Sequence, residues 1–520
     1  MATVKISELT GLASGSASNG DALPIVNGGT TKKVTVENLK GTLRGASNTA
    51  SGECATVSGG CNNTASGSFT TVSGGCNNTI SGYYKAGSTI SGGYCHTASG
   101  YNATIGGGFR NTISAECSAT ISGGGFNTAS DIYSTVSGGY INTASGYYST
   151  VGGGYENTAS GFYSSTVGGG CNNTASGDYS TVGGGESNTA SGEYSATVGG
   201  GDNNTASGYC GATVGGGAGN TASGYCAATV SGGYDNTASG YSSTVSGGYC
   251  NTASGDYATV GGGCCNTASG IRSTIGGGRE NEASNEYSTV SGGYNNTASA
   301  ALSAVGGGRD HTASGNSSTI GGGWQNTASA FGSTVGGGYL NTSSATNSTI
   351  GGGFSNTASS DSSTVGGGRN NTASNTYSTV SGGYNNNASD NGSTVGGGCT
   401  NNASGGCSTV SGGAFNTASG GCSTVSGGRG NTASGTRSTV SGGYNNTASG
   451  SFSAILGGCN NVAECTCSFI IGHDITARTT SSLHVNNLLL ETGSIPTSDP
   501  GIPGMLFIAG GALKVSGCIA

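Results

Sequence analysis

Branched apolar residues recur singly along most of this chain, and polar residues and glycines fill the intervals between them. Val or Ile opens each copy of a repeat that reads Val-Gly-Gly-Gly-x-x-Asn-Thr-Ala-Ser-Gly-x-Tyr-Ser-Thr, as at Val182 and Val260. From Val57 to Ile470 there are 28 such openings, most of them 15 or 16 residues apart. Self-similarity at a fixed period is typical of architectures in which each copy stacks on its neighbour.

Each copy contains two short strand-forming segments, Thr-Ala-Ser and Ser-Thr-Val, and turn residues precede both. We therefore predict an all-β fold, a parallel β-roll or β-solenoid of about 28 coils of 15–16 residues. The opening Val or Ile and the Ala of Thr-Ala-Ser are expected to fill the interior. The predicted core includes Val151, Val182, Val260, Ala159 and Ala175. Because such a core is thin, we expect a homotrimer to add burial to that of stacking.

One polar position is almost invariant along the repeat. Asn stands six residues after the opening residue in 25 of the 27 copies from Val57 to Ile455, and His96 and His311 are the exceptions. Stacked amides that hydrogen-bond from coil to coil would explain this, as would left-handed turn geometry. We predict a structural Asn ladder that includes Asn142, Asn157, Asn173, Asn188, Asn296 and Asn326. The neighbouring glycines are expected where backbones approach so closely that a Cβ would clash.

The composition supports repetition and excludes several other classes of protein. Hydrophobic residues make up 32% and charged residues 7%, with 109 Gly and only 4 Pro, which excludes ordinary globular domains, charge-rich disorder and collagen. The net charge of -8 and the missing basic stripe argue against nucleic-acid binding. No apolar run is long enough for a membrane span.

The chain has 18 Cys, most of them at variable positions of the repeat. Residues one coil apart, such as Cys61 and Cys76, would lie within reach of a disulfide. We favour unpaired surface cysteines, consistent with synthesis in a reducing cytosol. Zinc-type Cys spacing, a phosphate-binding Gly-Lys-Ser/Thr loop and a nucleophile–base constellation are not evident, so we predict no catalytic residues, no metal, no cofactor and no enzymatic activity.

Tyr recurs at two positions of the repeat, directly after the glycines and shortly before the opening residue. The first set includes Tyr140, Tyr155, Tyr234, Tyr249, Tyr294 and Tyr339. Such rows could present flat faces to sugars, but we favour a role in covering coil edges and lateral packing. Columns of Thr from both strand segments leave an ice-binding β-solenoid open as a further alternative.

Three segments near the N-terminus resemble the start of tailed-phage fibre proteins. They begin Lys5-Ile-Ser-Glu-Leu, Asp21-Ala-Leu-Pro-Ile-Val and Thr31-Lys-Lys-Val-Thr-Val-Glu-Asn-Leu, in that order. The resemblance implies a segment that fixes a fibre to a virus particle. The repeat itself, with Asn-Thr-Ala-Ser-Gly and Ser-Thr-Val-Gly-Gly, is similar to the head domains of YadA-like trimeric autotransporter adhesins. That likeness implies a left-handed parallel β-roll in a trimer, although the period here is longer.

We therefore predict three parts: a particle-attachment segment at residues 1–45, a β-roll shaft at 46–472 and a C-terminal cap or tip at 473–520. Short strands are expected around the turns after Asn27 and after Ile508. The predicted function is that of a virion tail fibre, synthesised in the host cytoplasm, which attaches to a host surface. Its expected partners are its own copies, a virion or baseplate protein bound through 1–45, and a glycan or protein receptor. The alternative is a cell-surface trimeric adhesin or a self-assembling extracellular filament.

Overall fold

The computed structural model describes residues 22–27, 30–35, 47–82, 87–487, 495–498, 500–503, 505–509 and 512–517. Within these ranges the chain consists of strands and turns, arranged as an all-β parallel β-solenoid of about 29 turns. The fold predicted from the repeat is therefore confirmed. Most of the predicted attachment segment, and part of the predicted cap, lie outside the described residues.

Each turn contributes one strand to each of two parallel rows, which we call the Thr-Ala row and the Thr-Val row. A strand of the Thr-Ala row begins directly after the repeated Asn, as in Thr158–Ala159, and a strand of the Thr-Val row ends at the opening residue, as in Thr166–Val167. Successive strands pair in register, so that Thr158 lies opposite Thr174 and Ala159 opposite Ala175. Each row is thus a ladder of similar side chains, with exceptions such as Glu282 and Ser343.

In the first compact unit, Met1–Ala298, the Thr-Ala row runs from Thr49–Ala50 to Thr297–Ala298 and the Thr-Val row from Thr56–Val57 to Thr289–Val290. Strands of these rows are two residues long, with the three-residue exceptions of Thr79–Ser81 and Thr97–Ser99.

In the second unit, Ser299–Ala520, the Thr-Val row runs from Ala304–Val305 to Leu483–Val485, and the Thr-Ala row from Thr312–Ala313 to Thr476–Ala477. Its three-residue strands are Phe469–Ile471 and Leu483–Val485, which pair in parallel. The ladder thus continues beyond Ile470, although the glycine run that marks the earlier turns is reduced there to Gly472.

Alternation along these very short strands builds the interior. Thr points outward and is mostly half-buried, whereas the following Ala, Val or Ile points inward and, beyond the first turn, has almost no exposed surface. The predicted core residues Val151, Val182, Val260, Ala159 and Ala175 are all 0% exposed. A single chain therefore closes its own interior, so a trimer is not needed to cover these side chains.

The three glycines of the corner differ in how closely the next turn approaches them. In the run Gly168-Gly169-Gly170, the last residue has φ of +92°, and a Cβ on it would overlap the carbonyl oxygen of Gly185 in the next turn. A Cβ on Gly169 would meet no atom within 4 Å. A Cβ on Gly168 would likewise overlap the carbonyl oxygen of Gly183, without the left-handed backbone of Gly170. Close approach therefore explains the first and third glycines, whereas our prediction that the whole run is there to avoid a clash is wrong for the middle one.

Left-handed backbone occurs beside the repeated Asn and not at it. The residue before that Asn has φ near +55°, as in Glu156 (φ 55°) and Leu340 (φ 57°). Its N–H donates to the turn before, for example from Glu156 to the carbonyl of Tyr140 at 3.0 Å. Left-handed geometry therefore does not explain the repeated Asn, and that part of our prediction is wrong.

Turns of 16 residues differ from turns of 15 only at an outer corner. Two residues separate Gly146 from the buried Ser149 in a shorter turn, and three separate Gly161 from the buried Ser165 in a longer one. The additional residue is exposed, so the interior stays in register.

Both predicted terminal hairpins are present. Ala22–Asn27 pairs antiparallel with Thr30–Thr35, and Leu506–Ala509 pairs antiparallel with Ala512–Val515.

Candidate functional site

The repeated Asn forms a continuous hydrogen-bonded ladder in the interior. The Asn188 amide nitrogen donates to the carbonyls of Gly184 and Gly201, at 2.9 and 2.8 Å. Its amide oxygen accepts from the backbone N–H of Asn204 at 3.0 Å. One side chain therefore satisfies three backbone groups and ties one turn to the next. The same pattern holds at Asn142, Asn157, Asn173 and Asn326, and all six predicted ladder residues are 0% exposed.

Most of these bonds join a side chain to the backbone. Direct amide–amide bonds add to them in some turns, such as that from Asn236 to Asn220 at 3.1 Å. Because the ladder needs mainly an acceptor for the backbone N–H of the next turn, a histidine ring can take the place of an Asn side chain. Nδ1 of His96 accepts from the N–H of Asn111 at 3.0 Å, and Nδ1 of His311 accepts from the N–H of Asn326 at the same distance.

Sequence reasoning missed a second buried polar column, the Ser two residues before each opening residue. Ser149 and Ser303 are both 0% exposed, and the Ser303 hydroxyl donates to the carbonyl of Ala300 at 2.6 Å. The signal was available, because only Ala or Thr replaces Ser at this position in the turns from Val57 to Ile470. A position restricted to small residues in every turn indicates an interior site.

The variable side chains of the glycine corner point outward. The residues four places after successive opening residues line up from turn to turn, and we call this line the position-four column. Neighbouring members pair through single parallel bridges, such as Tyr140 with Tyr155 and Tyr234 with Tyr249. Ring centroids of these two pairs are 6.0 and 5.4 Å apart, at interplanar angles of 3° and 4°. The structure therefore brings four of the six predicted Tyr residues together in pairs.

The other two predicted Tyr residues have different neighbours. Tyr294 lies against the guanidinium of Arg279, which is 5.7 Å from the ring centroid. Tyr339 lies between Trp324 at 4.6 Å and Phe354 at 5.2 Å. A second row of aromatic contacts lies before the opening residues, where Tyr133 and Tyr148 stack at 4.6 Å, for example.

Ring orientation limits what these columns present to solvent. Backbones of neighbouring turns are 4.7 Å apart at Cys61 and Cys76, two members of the same column. A phenol ring is wider than this spacing, so parallel rings on successive turns cannot both lie flat on the surface. The rings of these two pairs are parallel and offset, so each covers part of its neighbour's face. Flat faces for sugars, as predicted for Tyr140 and Tyr155, are therefore partly covered.

Sequence reasoning also missed the arginines of this column. Arg279, Arg309, Arg369 and Arg429 occupy position four, and each guanidinium lies between 5.1 and 5.8 Å from a neighbouring ring centroid. Stacking of this kind is favourable because the ring face is electron-rich. The sequence does show that Arg recurs at one position of the repeat. A total count of basic residues in the chain hides this recurrence.

The cysteines fall into two groups. Disulfides join Cys61 to Cys76 and Cys210 to Cys226, with Cα atoms 4.7 and 4.6 Å apart, so the expectation of unpaired cysteines is wrong for these four. The other described cysteines are free, 13 in all. Among them, a hydrogen bond with Cys264 raises the pKa of Cys265 to about 11, which leaves that thiol protonated at neutral pH.

Two kinds of site are not found within the described ranges. No cluster of three or more His, Cys, Asp or Glu side chains there could hold a metal ion. No helix of the described chain is long and apolar enough to cross a bilayer.

Comparison with known proteins gives one family match, within the second unit. Residues 438–450 match the Ubiquitous surface protein adhesin repeat. This segment is most of one turn and includes the strands Thr439–Val440 and Thr447–Ala448 with the ladder residue Asn446 between them. No curated protein matches the chain. The repeat match and the solenoid fold together support an adhesin-like repeat protein.

Proposed function

We propose that this chain is the fibre of a virion tail and that it attaches the particle to a host surface. The observation that carries the proposal is the difference between the interior and the outer positions of each turn. Val or Ile, Ala, Ser and Asn recur in the interior, whereas the position-four column changes freely, from Cys to Tyr, Phe, Trp and Arg. Such a scaffold displays different side chains at regular intervals without altering its own packing.

The adhesive part of the proposal is supported by the adhesin repeat match at residues 438–450. Exposed aromatic and Arg side chains, which are enriched where proteins bind partners, support it as well. Tyr234 and Tyr249 are each 50% exposed, and Tyr444 is 55% exposed.

Attachment to a particle is supported by the resemblance of residues 1–45 to the starting segments of tailed-phage fibres. The homotrimer rests on the resemblance of the repeat to YadA-like heads. A cell-surface adhesin, or an extracellular filament, built from the same turns is the alternative, and it would need no particle-attachment segment.

Deletion of residues 1–45 tests the proposal. The deletion leaves the described solenoid turns intact, since the first strand of the Thr-Ala row is Thr49–Ala50. We expect the shortened chain to fold, to bind host cells as the full chain does, and to be lost from purified particles. Particle incorporation is measured by immunoblotting of purified virions, and cell binding by flow cytometry with labelled protein.

A control variant of Tyr377→Ser, far from the deleted segment, is expected to enter particles normally. Undiminished incorporation of the deleted chain would contradict the virion-attachment role. Failure of the full chain to bind any host cell would contradict the adhesive role.

A further inference from the structure

In the second unit, the position-four column forms an unbroken stack of cationic and aromatic side chains over six turns. Parallel bridges connect its members in order. The members are Arg309, Trp324, Tyr339, Phe354, Arg369 and Tyr384. Neighbouring groups lie at 5.4, 4.6, 5.2, 5.1 and 5.8 Å, measured between ring centroids or from a guanidinium carbon to a ring centroid. Farther along the same column come Arg429 and Tyr444.

Overlap of these groups determines the charge that faces solvent. An aromatic ring carries negative charge on its faces and positive charge at its edge, and in the stack the faces are turned toward neighbouring groups. At the start of the stack the Asp310 carboxylate accepts from Arg309 and from the Trp324 ring N–H, which neutralises that end. Around Arg369 the outward surface carries Arg N–H groups and no such carboxylate among the described residues. Such a surface is complementary to an anion.

Arg369 is held in place without an acidic partner. Its guanidinium lies between Phe354 and Tyr384, 5.1 and 5.8 Å from the two ring centroids. Within the described residues no carboxylate pairs with Arg369 or Arg429, whereas Arg279 pairs with Glu280 at 2.9 Å and Arg309 with Asp310 at 3.1 Å. Stacking fixes the guanidinium plane, so its N–H edge is preorganised to bind a carboxylate or sulfate.

The column next to Arg369 supplies polar groups for neutral parts of a ligand. Asn370 and Asn385 follow Arg369 and Tyr384 in sequence, and both have left-handed backbone. Asn385 is exposed and Asn370 half-buried. An Asn amide can both donate to and accept from a hydroxyl group, so these side chains suit the neutral units of a polysaccharide.

The spacing of the two unpaired arginines favours one kind of polymer. Arg369 and Arg429 are four turns apart, which is about 19 Å at the usual spacing of parallel strands. Double-stranded DNA carries one charge per roughly 1.7 Å, and the chain's net charge of -8 would repel so dense a polyanion. A linear polymer with acidic groups separated by several neutral units fits better.

We propose that an acidic polysaccharide binds along this column of the second unit, from Trp324 to Tyr444, with its carboxylate or sulfate groups on Arg369 and Arg429. The inference rests on the proposed adhesive function and names the class of ligand. It places binding on the side of the solenoid, in a stretch that belongs to one compact unit.

Trp324 provides the probe, because it is the one Trp of the chain. The full-length protein is titrated with carboxymethyl dextran and with dextran sulfate, both lightly substituted so that several neutral sugar units separate the acidic groups, and with neutral dextran. Trp324 emission and the heat of binding are recorded. We expect saturable binding of at least one acidic polymer, weakened by added salt, and none of dextran. The two acidic polymers distinguish a carboxylate ligand from a sulfate ligand.

The double variant Arg369→Gln/Arg429→Gln is expected to weaken that binding by about tenfold or more. The matched control is Arg279→Gln, in which the lost charge is already neutralised by Glu280, and its affinity is expected to stay within about twofold of the unmodified chain's. Far-ultraviolet circular dichroism verifies that each variant is folded.

Absence of a binding heat with both acidic polymers would overturn the inference, as would equal binding of dextran or an equal loss in the control. A double variant that still binds host cells at full strength would overturn it too, while leaving the proposed adhesive function standing. If the unmodified chain did not bind host cells at all, that result would instead contradict the proposed function itself.

Discussion

At the scale of single residues, a few buried polar side chains carry the connection between turns. The Asn188 side chain satisfies three backbone groups that would otherwise be buried without partners. Leaving such groups unpaired costs about 1–3 kcal/mol each, so the position tolerates few substitutes. Histidine is one, because Nδ1 of the neutral ring can accept the same backbone N–H.

This substitution makes part of the solenoid sensitive to pH. Burial lowers the pKa of His96 below its usual value of 6.5, and it lowers that of His311 likewise. Protonation would place an N–H at Nδ1 against the backbone N–H of Asn111, which needs an acceptor. The unfolded chain therefore takes up a proton first as the pH falls, so stability is full above about pH 6.5 and declines below it.

We expect the unmodified chain to lose more thermal stability between pH 7.5 and pH 5 than the variant His96→Asn/His311→Asn, in which the ladder residue does not titrate in this range. Unfolding temperatures at the two pH values, from circular dichroism, give the comparison. A variant His484→Asn serves as control, because that side chain lies outside the Asn ladder. Identical pH dependence of the double variant and the unmodified chain would contradict the assignment.

At the scale of the turn, the sequence is a good guide to strands and a poor one to corners. The strands were predictable because the inward residue is constant in type, as with Val151 and Ala159. The left-handed corner was not, because its residue varies: Glu156, Leu340 and Cys265 all adopt it. Packing between turns imposes that conformation regardless of the propensity of the residue, so no local signal marks it.

The position-four column was predictable only in part, because its residues also vary in type. Recurrence of Tyr placed Tyr234 and Tyr249 in one column, and the structure shows that they stack. Contacts of Arg369 with Phe354 and Tyr384 could not be found by counting one residue type, because the column mixes cations with rings. The turn length shows which residues share the position-four column. It does not show how their side chains are oriented, because that depends on the spacing between turns.

The glycine corner gives a prediction at this scale. We expect Gly170→Ala to destabilise its turn by on the order of 2 kcal/mol or more, because the new Cβ would strain a left-handed backbone and overlap the Gly185 carbonyl. The matched control is Gly169→Ala in the same corner, where a Cβ meets no atom within 4 Å, and we expect a change of less than about 1 kcal/mol.

Urea unfolding and local hydrogen exchange measure both effects, since exchange reports on the altered turn directly. Equal behaviour of the two variants would show that close backbone approach does not restrict the third glycine.

At the scale of the whole molecule, the buried interior of one chain limits how several chains can associate. The interior residues of one chain, such as Val182 and Ala175, are already fully buried, so association must use outer surfaces. The Tyr and Arg columns and the half-buried Thr of both rows are among the outer surfaces of the described turns. We expect the full-length protein to have the mass of three chains in solution, as the resemblance to trimeric adhesin heads implies.

Multi-angle light scattering after size-exclusion chromatography measures this mass. Analysis at several concentrations separates a defined trimer from progressive polymerisation. The mass of one chain would contradict the homotrimer, and a mass that rises without limit would favour the filament alternative.

The outer corner where Gly161 and Ser165 are separated by one additional residue has a consequence for inheritance. Near-identical repeats in a gene misalign during replication and recombination, which adds or removes whole copies. Because register is restored within each turn, a gain or loss of one copy leaves every remaining turn with neighbours of the same kind on both sides. The number of turns and the order of the displayed side chains can therefore change while the residues that fold each turn stay the same.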